Sequence, residues 1–318
     1  MARMEARLAK REQIADATYA FTIEPNGPPF SYKAGQTIDL TYPGLSKPDP
    51  AGNRRTFSIA NAPGYGALLV ATRARGSALK QGLVEAPIGA DLEVDGPYGS
   101  FTLPTKPSDI FLLAGGIGVT PFRAMVEDTL ERSLDHTLSL IHSNRTPEEA
   151  PFLEELIRWG AQSAREMDEA VTTGKRGTHR ARSAIAVRDV EAGMAASQMD
   201  ATPSGADAVD AGHREARSDR PAAGENPSTM GAATLLASRR PRFRYIPTMT
   251  QPERSARGWS GGRHRVSPEF LADLLPLSRN TPIYYVAGPE RFVQGAVSSL
   301  QTLGVDEDRI RFEEFPGY

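Results

Sequence analysis

Two rhythms of apolar and polar residues divide the chain. Up to about residue 105 short runs alternate with the two-residue period of a half-buried strand. They are Ala15 to Ile23, AGQTIDLTY, RRTFSIAN, GALLVATR and ADLEVDG, separated by Gly, Pro and Asn turns. One stretch among them, SALKQGLVEA, reads as a helix. Strands without regular intervening helices predict an antiparallel barrel or sandwich over residues 1–105. From Asp109 the period changes. DIFLLAG has the continuous apolar character of a strand buried on both faces, and TPFRAMVEDTLER, HTLSLIHS and PEEAPFLEELIRWG follow as helix, strand and helix. FRYIPTM, SPEFLADLLP, TPIYYVAG, ERFVQGAVSSLQTLG and RIRFEEF continue the alternation. Such alternation predicts a parallel sheet with helices on both faces, an α/β domain over residues 106–318.

A gap interrupts the second rhythm. No aromatic residue occurs between Trp159 and Phe243, and Ala, Gly, Ser, Arg and Asp dominate. Little apolar surface is available there to offset ordering entropy, so residues from about 163 to 240 are expected to form a mostly disordered insertion. Short helices fit around Ala164 to Val171 and Ala181 to Met194. Because the strand–helix alternation resumes intact afterwards, an insertion explains the gap better than a failed domain assignment.

Composition changes the picture mainly by exclusion. The 318 residues carry 37 basic and 39 acidic side chains, which gives no reason to expect nucleic acid as a partner. There is no cysteine, so disulfides, thiolate-held zinc and cysteine-ligated iron–sulfur clusters are excluded from this chain. The opening MARMEARLAKREQ has no apolar core of a secretory signal, and no run approaches the ~18 to 20 apolar residues of a membrane span. A soluble, cytoplasmic protein is expected. His136, His179, His213 and His264 show no metal-ligand spacing to each other or to His142 and are expected on the surface or in loops; no metal site is predicted.

Two motifs carry candidate chemistry. In LLAGGIGVTPFRAM, Gly115, Gly116 and Gly118 fall at the carboxyl end of a strand, just before a helix opening at Thr120-Pro121. Ligands of open parallel sheets bind at such ends, and a helix start offers unpaired N–H groups and a positive dipole end to a pyrophosphate. Proline just inside the helix sacrifices no hydrogen bond. The alternative is a tight glycine turn without a ligand, and the spacing is not the usual G-x-G-x-x-G. In Arg55-Thr56-Phe57-Ser58, a strand would put Arg55 and Phe57 on one face and Ser58 on the other. An arginine can hold a phosphate, an aromatic can lie along a flat ring, and a hydroxyl can donate to a ring nitrogen. Alone, the quartet also fits an ordinary strand.

Together the motifs resemble the ferredoxin–NADP reductase superfamily, FAD-binding reductases with a flavin barrel followed by a nicotinamide domain. The family's R-x-[YF]-S motif is matched by Arg55, Phe57 and Ser58. Its second flavin segment resembles Arg73-Ala74-Arg75-Gly76-Ser77-Ala78-Leu79, and the turn closing its barrel resembles Gly96-Pro97-Tyr98-Gly99-Ser100-Phe101. The nicotinamide half is matched by Gly115-Gly116-Ile117-Gly118-Val119-Thr120-Pro121, by Tyr285-Val286-Ala287-Gly288-Pro289 and by Glu313-Glu314-Phe315. The resemblance covers residues 10–160 and 241–318 in the family's order. It departs at Ala287, where the family has a cysteine beside the nicotinamide, and at Pro316-Gly317-Tyr318, which extends past the usual terminal aromatic.

The resemblance implies a flavin-dependent NAD(P)H oxidoreductase that uses FAD rather than FMN and NADP(H) or NAD(H). Arg55, Thr56, Arg73, Gly76 and Ser77 would hold the flavin, with Ser58 near its N5 and Phe315 or Tyr318 covering its ring. Gly115 to Pro121 would take the nicotinamide cofactor's pyrophosphate, Ala287, Gly288 and Pro289 would lie beside the nicotinamide, and Glu313 would assist proton movement. After the second strand of the α/β domain, Ser143 and Arg145 would favour a 2′-phosphate and hence NADP, unless Arg145 is only an exposed loop residue. Electrons would pass to a separate acceptor, either a small molecule or a protein such as a ferredoxin-like one. Two alternatives stay open: ferredoxin-driven NADP reduction, and a non-catalytic flavin-binding or regulatory subunit.

Overall fold

The structure is a computed structural model that describes residues 3–47, 49, 51–173, 242–275 and 281–315. Its first sheet holds β1 (Met4–Ala15), β2 (Thr18–Pro25), β3 (Thr37–Thr41), β4 (Arg54–Ser58), β5 (Leu68–Arg73) and β6 (Asp91–Tyr98), in the order β4-β3-β6-β1-β2-β5 with every pairing antiparallel. The sheet curls until its two edges meet. An antiparallel bridge joins Ile59 to Val70, and the Ala60 N–H donates to the Leu69 carbonyl at 2.7 Å. The two-residue period places Phe21, Ile23, Ile38, Leu40, Val70, Leu92 and Val94 inside, where α1 (Ala78–Glu85) adds Leu79 and Leu83. Burial of that surface stabilises the barrel by ~25 cal/mol per Å² removed from water.

Strand β1 has no counterpart among the strands read from the pattern. In MEARLAKREQIA only Ala6 and Leu8 are buried, and five charged residues, Glu5, Arg7, Lys10, Arg11 and Glu12, break up any apolar alternation. Pairing with β2 and β6 recruits it, a long-range effect invisible to local alternation.

The second sheet is wholly parallel. It comprises β7 (Asp109–Gly115), β8 (Thr137–Asn144), β9 (Phe243–Met249), β10 (Ile283–Gly288) and β11 (Ile310–Glu314) in the order β11-β10-β7-β8-β9. Among the described residues its helices are α2 (Thr120–Glu131), α3 (Leu153–Thr173), α4 (Pro268–Leu274) and α5 (Glu290–Thr302). Leu112 and Ala114 of β7 pack with Phe122 and Met125 of α2 and Leu156 of α3, while Phe111 and Leu113 pack with Val293 and Leu300 of α5 and Leu271 of α4. Both faces of β7 are therefore covered, which is why it reads as an unbroken apolar run. From β7 the chain proceeds to β8 on one side, while β10 and β11 lie on the other. The order reverses between β7 and β10, and the crevice beyond their carboxyl ends is where such sheets bind ligands.

Helix α3 overturns part of the expected insertion. Residues 163–173 continue the helix instead of starting a disordered stretch, in line with the short helix expected around Ala164 to Val171. Ser163 is 4% exposed and accepts the Phe243 N–H at 3.0 Å, tying α3 to the start of β9. A composition average over the segment hides a helix that needs one apolar contact only every third or fourth residue. The rest of the expected insertion, with the helix expected around Ala181 to Met194, lies outside the described residues.

A buried charge cluster joins the sheets. Arg123 of α2 is 7% exposed, donates to the Ala60 carbonyl at 2.7 Å, and makes two bonds to Glu155 of α3 at 2.7 and 2.8 Å. Glu127, one turn on, accepts the Ala62 N–H at 2.6 Å. With every charge paired, the end of β4 is held against α2, whose first turn follows the glycines.

The histidines also differ from expectation. His136 is buried, at 5% exposure, and burial lowers its pKa. His264 is exposed, as expected; His179 and His213 lie outside the described residues.

Candidate functional site

The three glycines have three different physical jobs. A Cβ on Gly118 would lie 2.1 Å from the Ala287 carbonyl oxygen, so this residue lets the turn touch the end of β10. One on Gly115 would strike the Phe292 ring at 2.5 Å. Gly116 alone has a positive φ, +54°, and a Cβ there would meet nothing within 4 Å. Two glycines therefore serve packing, and the third combines a left-handed backbone with an open side. Residues Gly116–Val119 form a 3₁₀ turn leading into α2, with Thr120 Oγ1 donating to the Ile117 carbonyl at 2.7 Å and Pro121 in the helix's first turn.

His142 fixes the turn from beneath. It is fully buried on β8, with Nε2 2.9 Å from the Gly116 carbonyl and Nδ1 2.9 Å from the Tyr245 hydroxyl. A carbonyl only accepts, so Nε2 carries the proton and Nδ1 accepts from Tyr245. Burial pushes its pKa down to about 4, against the opposing effect of the Gly116 bond, and the ring is neutral at pH 7. In a trans peptide C=O and N–H point opposite ways, so this contact turns the Ile117 N–H away from His142.

Across the switch point, Ala287, Gly288 and Pro289 stand beside the turn. Ala287 is fully buried in the cluster that holds Phe122 and Tyr285, so its methyl faces the core. Gly288 has φ +150°, and its added Cβ would meet the Gly115 backbone at 3.0 Å. Pro289 precedes α5 as its N-cap residue. Glu313 of β11 lies in register with Ala287. Its Oε2 is buried without a partner, and burial raises the carboxyl to about 7. The Phe315 N–H donates to the Gly288 carbonyl at 2.9 Å, and its ring packs on the cluster of Ala20, Ala71 and Ile117, between the barrel's outer wall and the glycine turn. Tyr318 lies outside the described residues.

In the barrel, four donors converge on one carboxylate. Asp49 Oδ1 accepts from Arg55 Nη2 at 2.6 Å and the Ala51 N–H at 3.0 Å; Oδ2 accepts from Ser77 Oγ at 2.8 Å and the Leu79 N–H at 3.0 Å. Ser77 is the N-cap of α1, Leu79 lies in that helix's first turn, and Gly76 before them has φ +70° and an open side. The Leu79 N–H, then Ser77, Ala51 and Arg55, hold the Asp49 carboxyl far below the usual range. A guanidinium, a hydroxyl and a helix-start N–H are the donors a phosphate requires, and here they demonstrably hold an anion. The donor set fits a flavin phosphate.

Other sequence-predicted residues lie elsewhere. Arg73 is outside the Asp49 cluster: its guanidinium pairs with Glu149 at 2.5 Å. Phe57 is 4% exposed and packs in the barrel core; Thr56 is exposed and bonds Asp39. Ser58 is 7% exposed at the end of β4. Ser143, the next-to-last residue of β8, is in register with Gly115, and Arg145 just past the strand has a side chain 49% exposed, with Nε 3.3 Å from Glu149. Nearby, Asp16, Thr146, Glu148, Glu149, Arg254 and Ala256 line a cleft of about 250 Å³. Two residues of interest escaped the sequence reading. Asp49 sits in a loop with no spacing rule to mark it. Asn144, 6% exposed, has both amide atoms buried without a partner at the carboxyl end of β8; its place between Ser143 and Arg145 was the available signal.

Comparison with known proteins agrees with this geometry. The oxidoreductase NAD-binding domain family matches residues 112–202. Ferredoxin–NADP reductase B of Sorangium cellulosum is 32% identical over 157 residues, covering 48% of this chain and 62% of that protein. Phthalate dioxygenase reductase of Burkholderia cepacia is 29% identical over 161 residues, 48% of this chain and 47% of that one. The chain thus spans about half the length of these relatives. A ferredoxin–NADP⁺ reductase from Neisseria gonorrhoeae, solved with bound FAD and NADP, superposes with TM-score 0.60 at 17% identity over 99% of each chain. Among the described residues no helix is long and apolar enough to cross a membrane. With its ordered motifs, its antiparallel curled sheet followed by a parallel one, and these matches, the chain is similar in sequence and fold to ferredoxin–NADP reductases and a dioxygenase reductase.

Proposed function

We propose that the chain is an NAD(P)H-dependent flavoprotein reductase that binds FAD and passes electrons to a separate acceptor. One observation carries the reading: an anion cradle on the barrel and a glycine turn at the sheet's switch point lie in one compact unit, with Phe315 packed between the barrel wall and that turn. Arg55, Ser77 and the Leu79 N–H hold the flavin phosphate, and the open side at Gly76 lets the ligand approach the backbone. The Gly116–Val119 turn, braced by His142, presents backbone to the pyrophosphate of NAD(P)H. Ser143 and Arg145 read the 2′-phosphate, so NADPH is the preferred donor; Glu149 shares the Arg145 charge and tempers that preference. Flavin, when bound, supplies a hydride acceptor that can release electrons singly or in pairs. Ser58 and Phe315 border its ring and limit water access. Glu313, with a carboxyl that titrates to about 7, gains or releases a proton at neutral pH.

These 318 residues hold no cysteine and so no thiolates for an iron–sulfur cluster, which places the acceptor, a protein or a small molecule, outside them. Relatives named as reductase components of a phthalate dioxygenase and a phenol 2-monooxygenase support a protein acceptor, with a ferredoxin-like partner as the first to test. Drawing on the NAD(P)H pool, the protein works in the cytoplasm. The test is the absorption spectrum of the purified protein. A yellow protein that bleaches on anaerobic addition of NADPH is expected; a colourless one that takes up no added FAD refutes the proposal.

A further inference from the structure

The donor cluster that fits the flavin phosphate is engaged by the chain's own Asp49, and we propose that this carboxylate is an internal competitor that flavin must displace, so that it sets how tightly flavin is held. The inference rests on the flavin reading above. Its geometry is one of shared donors. Ser77 has one hydroxyl hydrogen and the Leu79 amide one N–H, and both point at Asp49 Oδ2. Neither serves a phosphate oxygen while it serves Asp49. Arg55 is committed to the same loop: Nη2 binds Asp49, and Nη1 donates to the carbonyls of Ala51, Gly52 and Arg54 at 2.7–2.9 Å. The Asp49 side chain is only 4% exposed, so it sits inside the cluster and not at its rim. A phosphate arriving with Asp49 in place would set a second negative charge against one guanidinium.

The consequence has an unusual sign. Asp49 bonds strengthen the protein without flavin and oppose flavin binding, because they are given up on docking. A residue that merely supports the loop, or that contacts flavin, would weaken binding when removed. Removing the Asp49 carboxylate should strengthen it.

The experiment strips flavin from the purified protein and titrates FAD back, following the quenching of flavin fluorescence, for the wild type, Asp49→Asn and Asp49→Ala. Both variants should bind FAD about tenfold more tightly or better. Their melting temperatures should fall without FAD and approach the wild-type value at saturating FAD. Asp49→Asn keeps the side chain's volume and carries the test if the alanine variant does not fold. Equal or weaker FAD binding by a folded Asp49→Asn protein overturns the inference while leaving the flavin reading intact. Failure of all three proteins to take up FAD overturns the flavin reading, and the inference with it.

Discussion

The barrel and the parallel sheet prepare their proposed anion sites by different means. On the barrel the donors are mainly side chains: Arg55 and Ser77, joined by the Leu79 N–H, gathered on one carboxylate. At the switch point the structural work is done by missing side chains: Gly118 and Gly115 permit close approach, and Gly116 supplies the turn. A site built from side chains should lose function in steps while its fold survives. A site built from close backbone packing should fail abruptly, through stability. His142 belongs to the second kind, since it orients a peptide group without facing the open side of the turn.

The sharpest test of that difference is Gly118→Ala. With its Cβ 2.1 Å from a backbone oxygen, the end of β10 must shift, and destabilisation of about 3 kcal/mol or more is expected from overpacking. Gly116→Ala meets open space and should lose only about 1 kcal/mol to its left-handed conformation. Denaturant melts of the two variants check the contrast; similar losses would erase it.

Next in size is Arg55→Ala. The protein should stay folded while its FAD dissociation constant rises by about ten- to a hundredfold, the worth of a charge-assisted phosphate contact. Unfolding in place of flavin loss would show that Arg55 matters through its loop bonds.

A smaller change is expected from Arg145→Ala, because half its side chain is exposed and Glu149 already shares its charge. The KM for NADPH should rise roughly five- to tenfold, with NADH nearly unchanged. Equal losses for both cofactors would remove Arg145 from 2′-phosphate recognition.

The smallest effect concerns Glu313. Its folded carboxyl titrates to about 7, above the unfolded value of about 4.3. A raised folded pKa contributes stability that is complete below the unfolded value and is lost as pH rises through the folded one. Glu313→Gln cannot ionise, so its melting temperature relative to the wild type should rise between pH 5 and pH 8. A constant difference would mean that Glu313 titrates normally.

Much of this was legible in the residue pattern. β9, read as FRYIPTM, spans Phe243–Met249, and β7, read as DIFLLAG, spans Asp109–Gly115, because apolar runs bounded by turn residues are local signals. The glycine turn was equally visible, since Gly and Pro constrain the backbone wherever they occur. β1 was not, because its pairing partners, not its own alternation, make it a strand. Phe57 was expected along a ligand ring, yet alternation gives only which residues share a face, and the curl of the sheet turns this one inward.

The sequence by itself therefore determined the two rhythms, their order along the chain and the residue types able to hold anions, because these depend on neighbours a few positions apart. Tertiary structure alone decided that Arg55, Ser77 and Leu79 meet at Asp49, that Arg73 turns to Glu149, and that Gly118 touches Ala287. Those contacts join residues up to 169 positions apart (from Gly118 to Ala287), and which distant segments meet is fixed by how the whole sheet curls, crosses over and packs.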